Sequence, residues 1–463
     1  MSLVWLILLP LLASAFCYQA RERTAPQVAR LATLISALLG LQVLFDPQGR
    51  HFFRPWFPQF GIHFELAPQA AVLPLLVLGP LLVLGALTMI RPGLERRSEF
   101  CGHMLLMLAC LQGLFLAENL GLFYVFFELM LIPALLLCAR WGGERGQAVA
   151  LKFFLYTMAG SLPMLLGILT LSLQSSDASL SFSSLSGLPP ELQQSAFWLF
   201  AIAFAVKTPL FPLHGWQVDF YRSAPAPVVA VVAALMSKAG VYGFLRILQG
   251  LFPEGCAEHG SILVGLALVS LLYGGFCALG APCLRSILAY SSLSHLGLMT
   301  IAIMVGGEQA IPGIRLQMSA HAVSTGGLFL VLAALENRGF TSQLSQLGGL
   351  AKSMPSLAAC ALVLAMASLG CPGLASFPAE LSMLMGIYRN SPALALLSSL
   401  GVVLAGWYGL RMFQGTFNGE HRQGPQHSDL IEDEWVALLP LVVLCFALGL
   451  FPDFSLLQWT RGL

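Results

Sequence analysis

Four ionisable residues stand inside apolar sequence, where a charge is expensive. Glu128 lies in LGLFYVFFELMLIPALLLC, Lys207 in AFWLFAIAFAVKTPLFPLHGW and Lys238 in VVAVVAALMSKAGVYGFL, and Glu380 closes ASLGCPGLASFPAE. At bilayer depth each costs about 2.5–3.5 kcal/mol even on the lenient insertion scale, so such residues face one another or water and mark ion paths. Two acids and two bases, each alone in its own segment, can pass a proton if each gains and loses one on a change of neighbouring charge. Static ion pairs that lock packing, or side chains that snorkel to the interface, are the bland alternative. That alternative suits a single such residue better than a set in which two lie beside helix-breaking sequence. His295 in AYSSLSHLG and His321 in SAHAVSTGGLFL also fall in apolar segments, and imidazole titrates near neutral pH. Each alone fits a hydrogen-bonded packing residue; in series with Lys and Glu they form a relay. His214, in FPLHGW, lies beside the first break.

These residues must be carried by membrane helices. Of 463 residues 57% are hydrophobic and only 10% charged, against about 25% charged in soluble domains. A helix needs roughly 20 apolar residues to cross a bilayer. Apolar runs fall at 2–17, 28–45, 69–90, 100–117, 119–139, 150–173, 196–213, 225–248, 261–280, 286–305, 315–335, 356–386, 393–413 and 435–452. Lipid offers no partner to unpaired backbone groups, so each run is predicted to be helical. The expected fold is an all-α polytopic membrane protein of about fourteen spans. The Ser-rich segment SLQSSDASLSFSSLSGLPPELQQS and the polar NGEHRQGPQHSDLIEDE are linkers.

Loops after odd-numbered runs hold fifteen Lys and Arg, from Arg21 to Arg422. The opposite side holds six: Arg50, Arg54, Arg246, Arg315, Arg389 and Arg461. The positive-inside rule then puts both termini on the non-cytoplasmic side. The opening MSLVWLILLPLLASAFC carries no positive charge and is taken as a first membrane helix rather than a signal peptide.

Two runs cannot be single unbroken helices. Lys207 is followed by Thr208, Pro209 and Pro212, and Glu380 is preceded by Gly370, Pro372, Gly373 and Pro378. Proline removes a backbone donor and kinks a helix, and paired discontinuous spans are the best sequence pointer to a transporter's ion path. The breaks lie in runs seven and twelve, which suggests a repeat of five helices, runs 4–8 and 9–13. The corresponding division is 1–99, 100–250, 261–415 and 430–463.

Other chemistry finds no support. A net charge of +1 without basic clusters gives no footprint for nucleic acid. The ten cysteines form no C-x-x-C pair and no metal-type grouping with histidine, and most, such as Cys110, Cys138, Cys277, Cys360 and Cys445, sit in apolar runs as small hydrophobes. His51, His63, His103, His259, His421 and His427 lie in loops or near helix ends and receive no role. No G-x-G, G-x-x-x-x-G-K-[ST] or H-E-x-x-H occurs, so neither nucleotide nor catalytic zinc is indicated. Ion movement must be driven by another gradient or by a partner.

At these residues the sequence resembles a known family: the antiporter-like, proton-translocating membrane subunits of respiratory complex I, shared with multisubunit Na+/H+ antiporters and membrane-bound hydrogenases. FFELMLIP, KFFLYT, FAVKTPLFPLHGW, LMSKAGVYGFLR, AYSSLSHLG, HAVSTGGLFL and LGCPGLASFPAE resemble family blocks in the same order from about 119 to 390, and EWVALLPLVVLCFALGLFPD fits the end. Within the family the chain is most similar to the chain M (subunit 4) type, because Glu rather than Lys occupies position 380 and no long lateral helix follows span fourteen.

The resemblance implies a proton pathway of Glu128, Lys207, Lys238, His295, His321 and Glu380, with Glu128 paired to Lys207 and Lys238 with His295 continuing a buried polar axis. His214, Asp219 and Lys152 are possible accessories. It implies inverted repeats, other membrane subunits as partners, H+ or Na+ as the ion, and a bacterial inner membrane or organellar equivalent. NADH, FMN, iron–sulfur clusters and quinone are expected on partner subunits, with no cofactor, metal or catalytic redox site on this chain. A Na+/H+ antiporter, hydrogenase or carbon-uptake complex of the same family, or a non-conducting scaffold, are the alternatives. Two departures are visible: where many relatives read L-P-D-A-H this chain reads QVDFY, keeping Asp219 but placing Tyr221 at the His position, and FELAPQAAVL lacks the Asp often found near the third span.

Overall fold

The structure, a computed structural model, describes residues 2–47, 50–91, 93–174, 179–420 and 428–452. His421, Arg422, His427 and Arg461 lie outside the described residues. Each of the fourteen apolar runs coincides with helix. In chain order these are α1 (Ser2–Gln19), α2 (Ala25–Phe45), α3 (Leu73–Thr88), α4 (Arg97–Leu116), α5 (Leu120–Leu129), α6 (Leu131–Trp141), α7 (Gly146–Gln174), α8 (Pro190–Lys207), α9 (Gly215–Ser223) and α10 (Ala226–Val231). There follow α11 (Ser237–Tyr242), α12 (Gln249–Leu251), α13 (Pro253–Gly280), α14 (Leu284–Val305), α15 (Gly307–Asn337), α16 (Leu350–Ser353), α17 (Pro355–Ser368), α18 (Ser376–Asn390), α19 (Pro392–Phe417) and α20 (Glu432–Leu450). Among the described residues eleven spans are long and apolar enough to cross a membrane, taking Leu120–Trp141 and Ala226–Leu251 as one span each.

The runs at 196–213 and 356–386 are broken where proline and glycine demand it. Helix α8 stops at Lys207, and the segment up to α9 holds Pro209 and Pro212. The gap between α17 and α18 turns on Gly370 (φ 74°) and Gly373 (φ 87°), a left-handed backbone that only glycine adopts at little cost.

Two further interruptions carry no signal in the apolar pattern. The Glu128 run splits into α5 and α6 at Met130, because Pro133 has no N–H to give the carbonyl of Leu129. The Lys238 run contains two π-helical stretches, Val232–Met236 and Gly243–Leu248, on either side of α11. Such wide turns disrupt the regular hydrogen-bond ladder and cluster at functional sites. Helix α15 also begins at Gly307, well before the run at 315–335, so Arg315 is helical rather than part of a loop.

The all-helical expectation needs one addition. Between α2 and α3 the strands β1 (Phe52–Phe57) and β2 (Ile62–Leu66) pair antiparallel, turning at Gly61 (φ 66°). The Phe and Trp content of FFRPWF suits a strand, but a single hairpin has too few residues to stand out in a chain of apolar runs.

The chain forms two compact units. One comprises Met1–Val83, Arg96–Pro209 and Leu235–Leu263; the other comprises Leu84–Glu95, Leu210–Ala234 and Val264–Leu463. In the first, α4 packs on α1 and α2, and α7 on α6 and α8. In the second, α15 packs on α14, α17, α18 and α20. Helices α4, α14 and α15 are apolar around most of their circumference and buried almost throughout, whereas α1, α7, α19 and α20 are buried on one side only. A helix that is apolar all round is one enclosed by others or by lipid.

Candidate functional site

In the first unit, α5 carries Glu128 and α8 ends on Lys207. The α5 start is set by Asn119, whose side chain accepts from Gly121 N (3.0 Å) and Leu122 N (3.2 Å) and donates to Gly61 O (2.9 Å). Lys207 is 1% exposed, and its Nζ lies 4.8 Å from the ring centroid of Phe127, the residue before Glu128. The charges of Lys207 and Glu128 act on each other, yet neither Lys207 Nζ nor either Glu128 carboxylate oxygen makes a hydrogen bond, and all three atoms are buried. Ser161 of α7 stands beside Glu128 but spends its hydroxyl on Met158 O (3.1 Å). A buried acid and base held near each other without a hydrogen bond form a pair whose protonation depends on small changes of separation.

Lys238, on α11, is completely buried, and its Nζ donates to Ser237 Oγ at 3.4 Å. Two residues on, Gly240 has no room for a side chain: a Cβ there would collide with Thr208 Oγ1 and stand 2.7 Å from Thr208 N. The glycine thus lets α11 lie directly against the residue that follows Lys207.

In the second unit, four helices bring polar groups to one point. Glu380 of α18 is 3% exposed, and its Oε1 is 3.4 Å from His295 Nδ1 on α14. His295 Nε2 is 3.3 Å from the Tyr408 hydroxyl of α19, which also bonds Ser291 Oγ at 2.9 Å. Gln317 of α15 donates to Glu380 Oε1 (3.5 Å), and one turn on, the His321 ring lies 5.6 Å from that of His295. Thr325 Oγ1 lies 3.4 Å from His321 Nε2. Gly370 completes the cluster: its φ is 74°, and a Cβ would stand 2.5 Å from Glu380 Oε2.

Tyr408, Gln317 and Ser291 carried no separate signal in the sequence, and Gly370 signalled only a helix break, not a neighbour of the Glu380 carboxylate. A neutral polar residue in an apolar helix is common, and only packing shows which of them face a carboxylate. Of the accessory residues, His214 stacks on Phe211 (5.7 Å between rings, 22°) and meets Tyr273 edge-on (5.3 Å), an aromatic cluster. Asp219 is half-buried on α9, and Lys152 is on the exposed face of α7. Tyr221 is fully buried with its ring edge-on to Phe329 (5.5 Å, 90°). Among the described residues no group of three or more His, Cys, Asp or Glu could hold a metal ion.

Residues 117–405, which include all six residues of the expected pathway, match the family of NADH:quinone oxidoreductase/Mrp antiporter transmembrane proteins. The chain belongs to this family. Relatives include NADH-quinone oxidoreductase subunit 13 of Thermus thermophilus, 37% identical over 99% of this chain and 96% of that protein. NADH-quinone oxidoreductase subunit M of Escherichia coli K12 is 34% identical over 98% and 95%. Among solved structures, a chain of respiratory complex I from Thermus thermophilus with bound NADH superposes with a TM-score of 0.92 at 35% identity, covering 98% of this chain and 96% of that one. The broken helices and the buried pairs are therefore features of an antiporter-like family member, an integral, multi-pass membrane protein.

Proposed function

We propose that this chain translocates protons as the antiporter-like subunit of a complex I type NADH:quinone oxidoreductase, driven by electron transfer in partner subunits. The observation that carries this is the Lys207–Glu128 pair: two buried ionisable groups, electrostatically linked and without hydrogen bonds. When a neighbouring subunit shifts one of them, the Coulomb energy that favours the ammonium–carboxylate state changes, and a proton is released or taken up. The His295–Glu380 cluster provides the corresponding site in the second unit. Lys238 and His321 are assigned to the same pathway, and runs 4–8 (100–250) and 9–13 (261–415) to two inverted repeats. The two broken helices, five runs apart, support that division. NADH, FMN, iron–sulfur clusters and quinone belong to partner subunits, and both termini face the non-cytoplasmic side of a bacterial inner membrane. Whole-chain similarity to NADH-quinone oxidoreductase subunits favours this parent assembly over a Na+/H+ antiporter.

The test is turnover-coupled proton pumping by the intact complex in proteoliposomes. Lys207→Ala and Glu128→Gln are expected to abolish pumping while the complex still assembles. Unchanged pumping in either variant overturns the proposal, and a requirement for sodium would move the chain to the antiporter branch.

A further inference from the structure

Lys207 ends α8 beside two residues of different chemistry, and the two are consecutive on α5. Glu128 is a carboxylate whose charge acts on it. Phe127 is an aromatic ring, and Lys207 Nζ lies over it, 4.8 Å from the centroid. A cation within about 6 Å of a ring centroid is drawn to the negative face of the quadrupole. The ring is fixed from both helices. Phe127 is 1% exposed and packs on Phe123, one turn earlier on α5, at 5.7 Å between centroids. Phe204 of α8, three residues before Lys207, lies 6.3 Å from each of these rings, at 84° to Phe123 and 72° to Phe127. Gly243 makes room for the Phe204 ring, which a Cβ there would strike. A ring held by two others in a close-packed interior keeps its place. Packing alone can put a ring beside a buried lysine. What sets this contact apart is that Nζ makes no hydrogen bond, nor does either Glu128 carboxylate oxygen, and all three atoms are buried. An ammonium deprived of hydrogen bonds in the interior is expensive, and the face of Phe127 is what meets its charge.

We infer that Phe127 is a positioning residue for the Lys207–Glu128 pair: its ring holds the protonated lysine off the carboxylate and so keeps the pair open until a neighbouring subunit drives it closed. The inference rests on the proton transport proposed above and adds a second partner for the ammonium. The two partners differ in what they can do. A ring attracts the ammonium through its quadrupole, gains little from the neutral amine and has no lone pair to take a proton. A carboxylate attracts the ammonium and can also accept a proton from it. Left to itself, a buried ammonium–carboxylate contact closes to a hydrogen-bonded pair at about 2.8 Å, and a buried pair of that kind is costly to separate. The ring offsets part of the attraction, so the ammonium has two places of comparable energy and a small helix movement decides which one it takes. The order of the residues serves this purpose. Adjacent side chains on a helix point about 100° apart, so a rotation of α5 about its axis brings one of the two toward Nζ as it takes the other away. The division of the run at Met130, two residues after Glu128, gives α5 a point at which to turn.

The experiment replaces Phe127 in the intact complex with phenylalanines bearing one, two and three ring fluorines and follows turnover-coupled pumping in proteoliposomes. Each fluorine draws charge from the ring face and leaves the shape nearly unchanged, so packing stays constant while the attraction for a cation is removed. Pumping is expected to fall in steps with the number of fluorines, by about tenfold over the series, the size of a desolvated cation–ring contact expressed as a rate. Phe127→Leu, apolar but without a ring face, should match the trifluorinated ring, and Phe127→Tyr, which keeps the face, should retain most of the parent rate. The same series at Phe123, which packs on Phe127, is expected to leave pumping at the parent level. A flat or rising series at Phe127, or an equal fall at Phe123, overturns the inference; with Lys207→Ala inactive, the transport function still stands. Parent-level pumping in Lys207→Ala overturns both. If Phe127→Leu fails to assemble, the fluorinated series decides, since those rings fill the same space.

Discussion

Gly370 shows how much a site can depend on an atom that is missing from the side chain. Its backbone is left-handed, which costs a non-glycine residue about 1–2 kcal/mol, and the place a Cβ would take lies 2.5 Å from the Glu380 carboxylate. Gly370→Ala is therefore expected to lower the thermal stability of the complex and to push Glu380 away from His295, reducing pumping. Unaltered melting and unaltered pumping would show that the close approach is not required. The acid at 380 and its two histidines were legible in the sequence because charge and imidazole are rare in apolar runs. Tyr408 and Gln317 were not, since a hydroxyl or an amide in such a run carries little penalty and has many uses.

At the scale of elements, the helix ends are held by residues distant in sequence. Arg338, just after α15, binds Glu434 in the first turn of α20 through two contacts of 2.5 and 2.6 Å, with the side chains only 9% and 6% exposed. A carboxylate at a helix N-terminus also meets the favourable end of the helix dipole. Asp429, in the linker before α20, accepts from Ser356 N (2.8 Å) and Leu357 N (3.1 Å), and so caps α17 from outside that helix. Burial alone would raise the Asp429 carboxyl, but these N–H donors outweigh it and hold it below the usual aspartate value. A carboxyl lowered in the folded state stabilises above its unfolded pKa and loses that contribution as the pH falls through its folded value. Asp429→Asn should thus melt earlier than the parent protein at neutral pH, and the gap should close in acid. A gap of constant size across that range would mean that charge plays no part in the cap. The two proline- and glycine-rich breaks were legible in the residues themselves, because proline and glycine interrupt a helix by covalent geometry. The π-helical turns around Lys238 were not, for a π turn has no composition of its own, and the division of the Glu128 run at Met130 hangs on the single Pro133 in an otherwise unbroken apolar run.

For the whole molecule, each of the two compact units holds one acid–base site, Glu128 with Lys207 and Glu380 with His295. If the two act in one pathway, Glu380→Gln should stop pumping although the Lys207–Glu128 pair is untouched, as Lys207→Ala should with the second site intact. Partial pumping in both single variants, measured in the same vesicles, would indicate two independent routes. Fourteen helical runs and a membrane-embedded set of acids and bases followed from the sequence alone, because lipid admits few ways to satisfy a backbone and makes every buried charge conspicuous. Tertiary structure alone decided which of those charges meet. It left Lys207 and Glu128 without hydrogen bonds, joined Glu380 to His295, Gln317 and, through the histidine, Tyr408, and paired Glu118 with Arg246. Hydropathy determines that a segment is a helix in a membrane; the rotation of that helix about its axis, and so the partner each side chain faces, is settled only by packing against its neighbours.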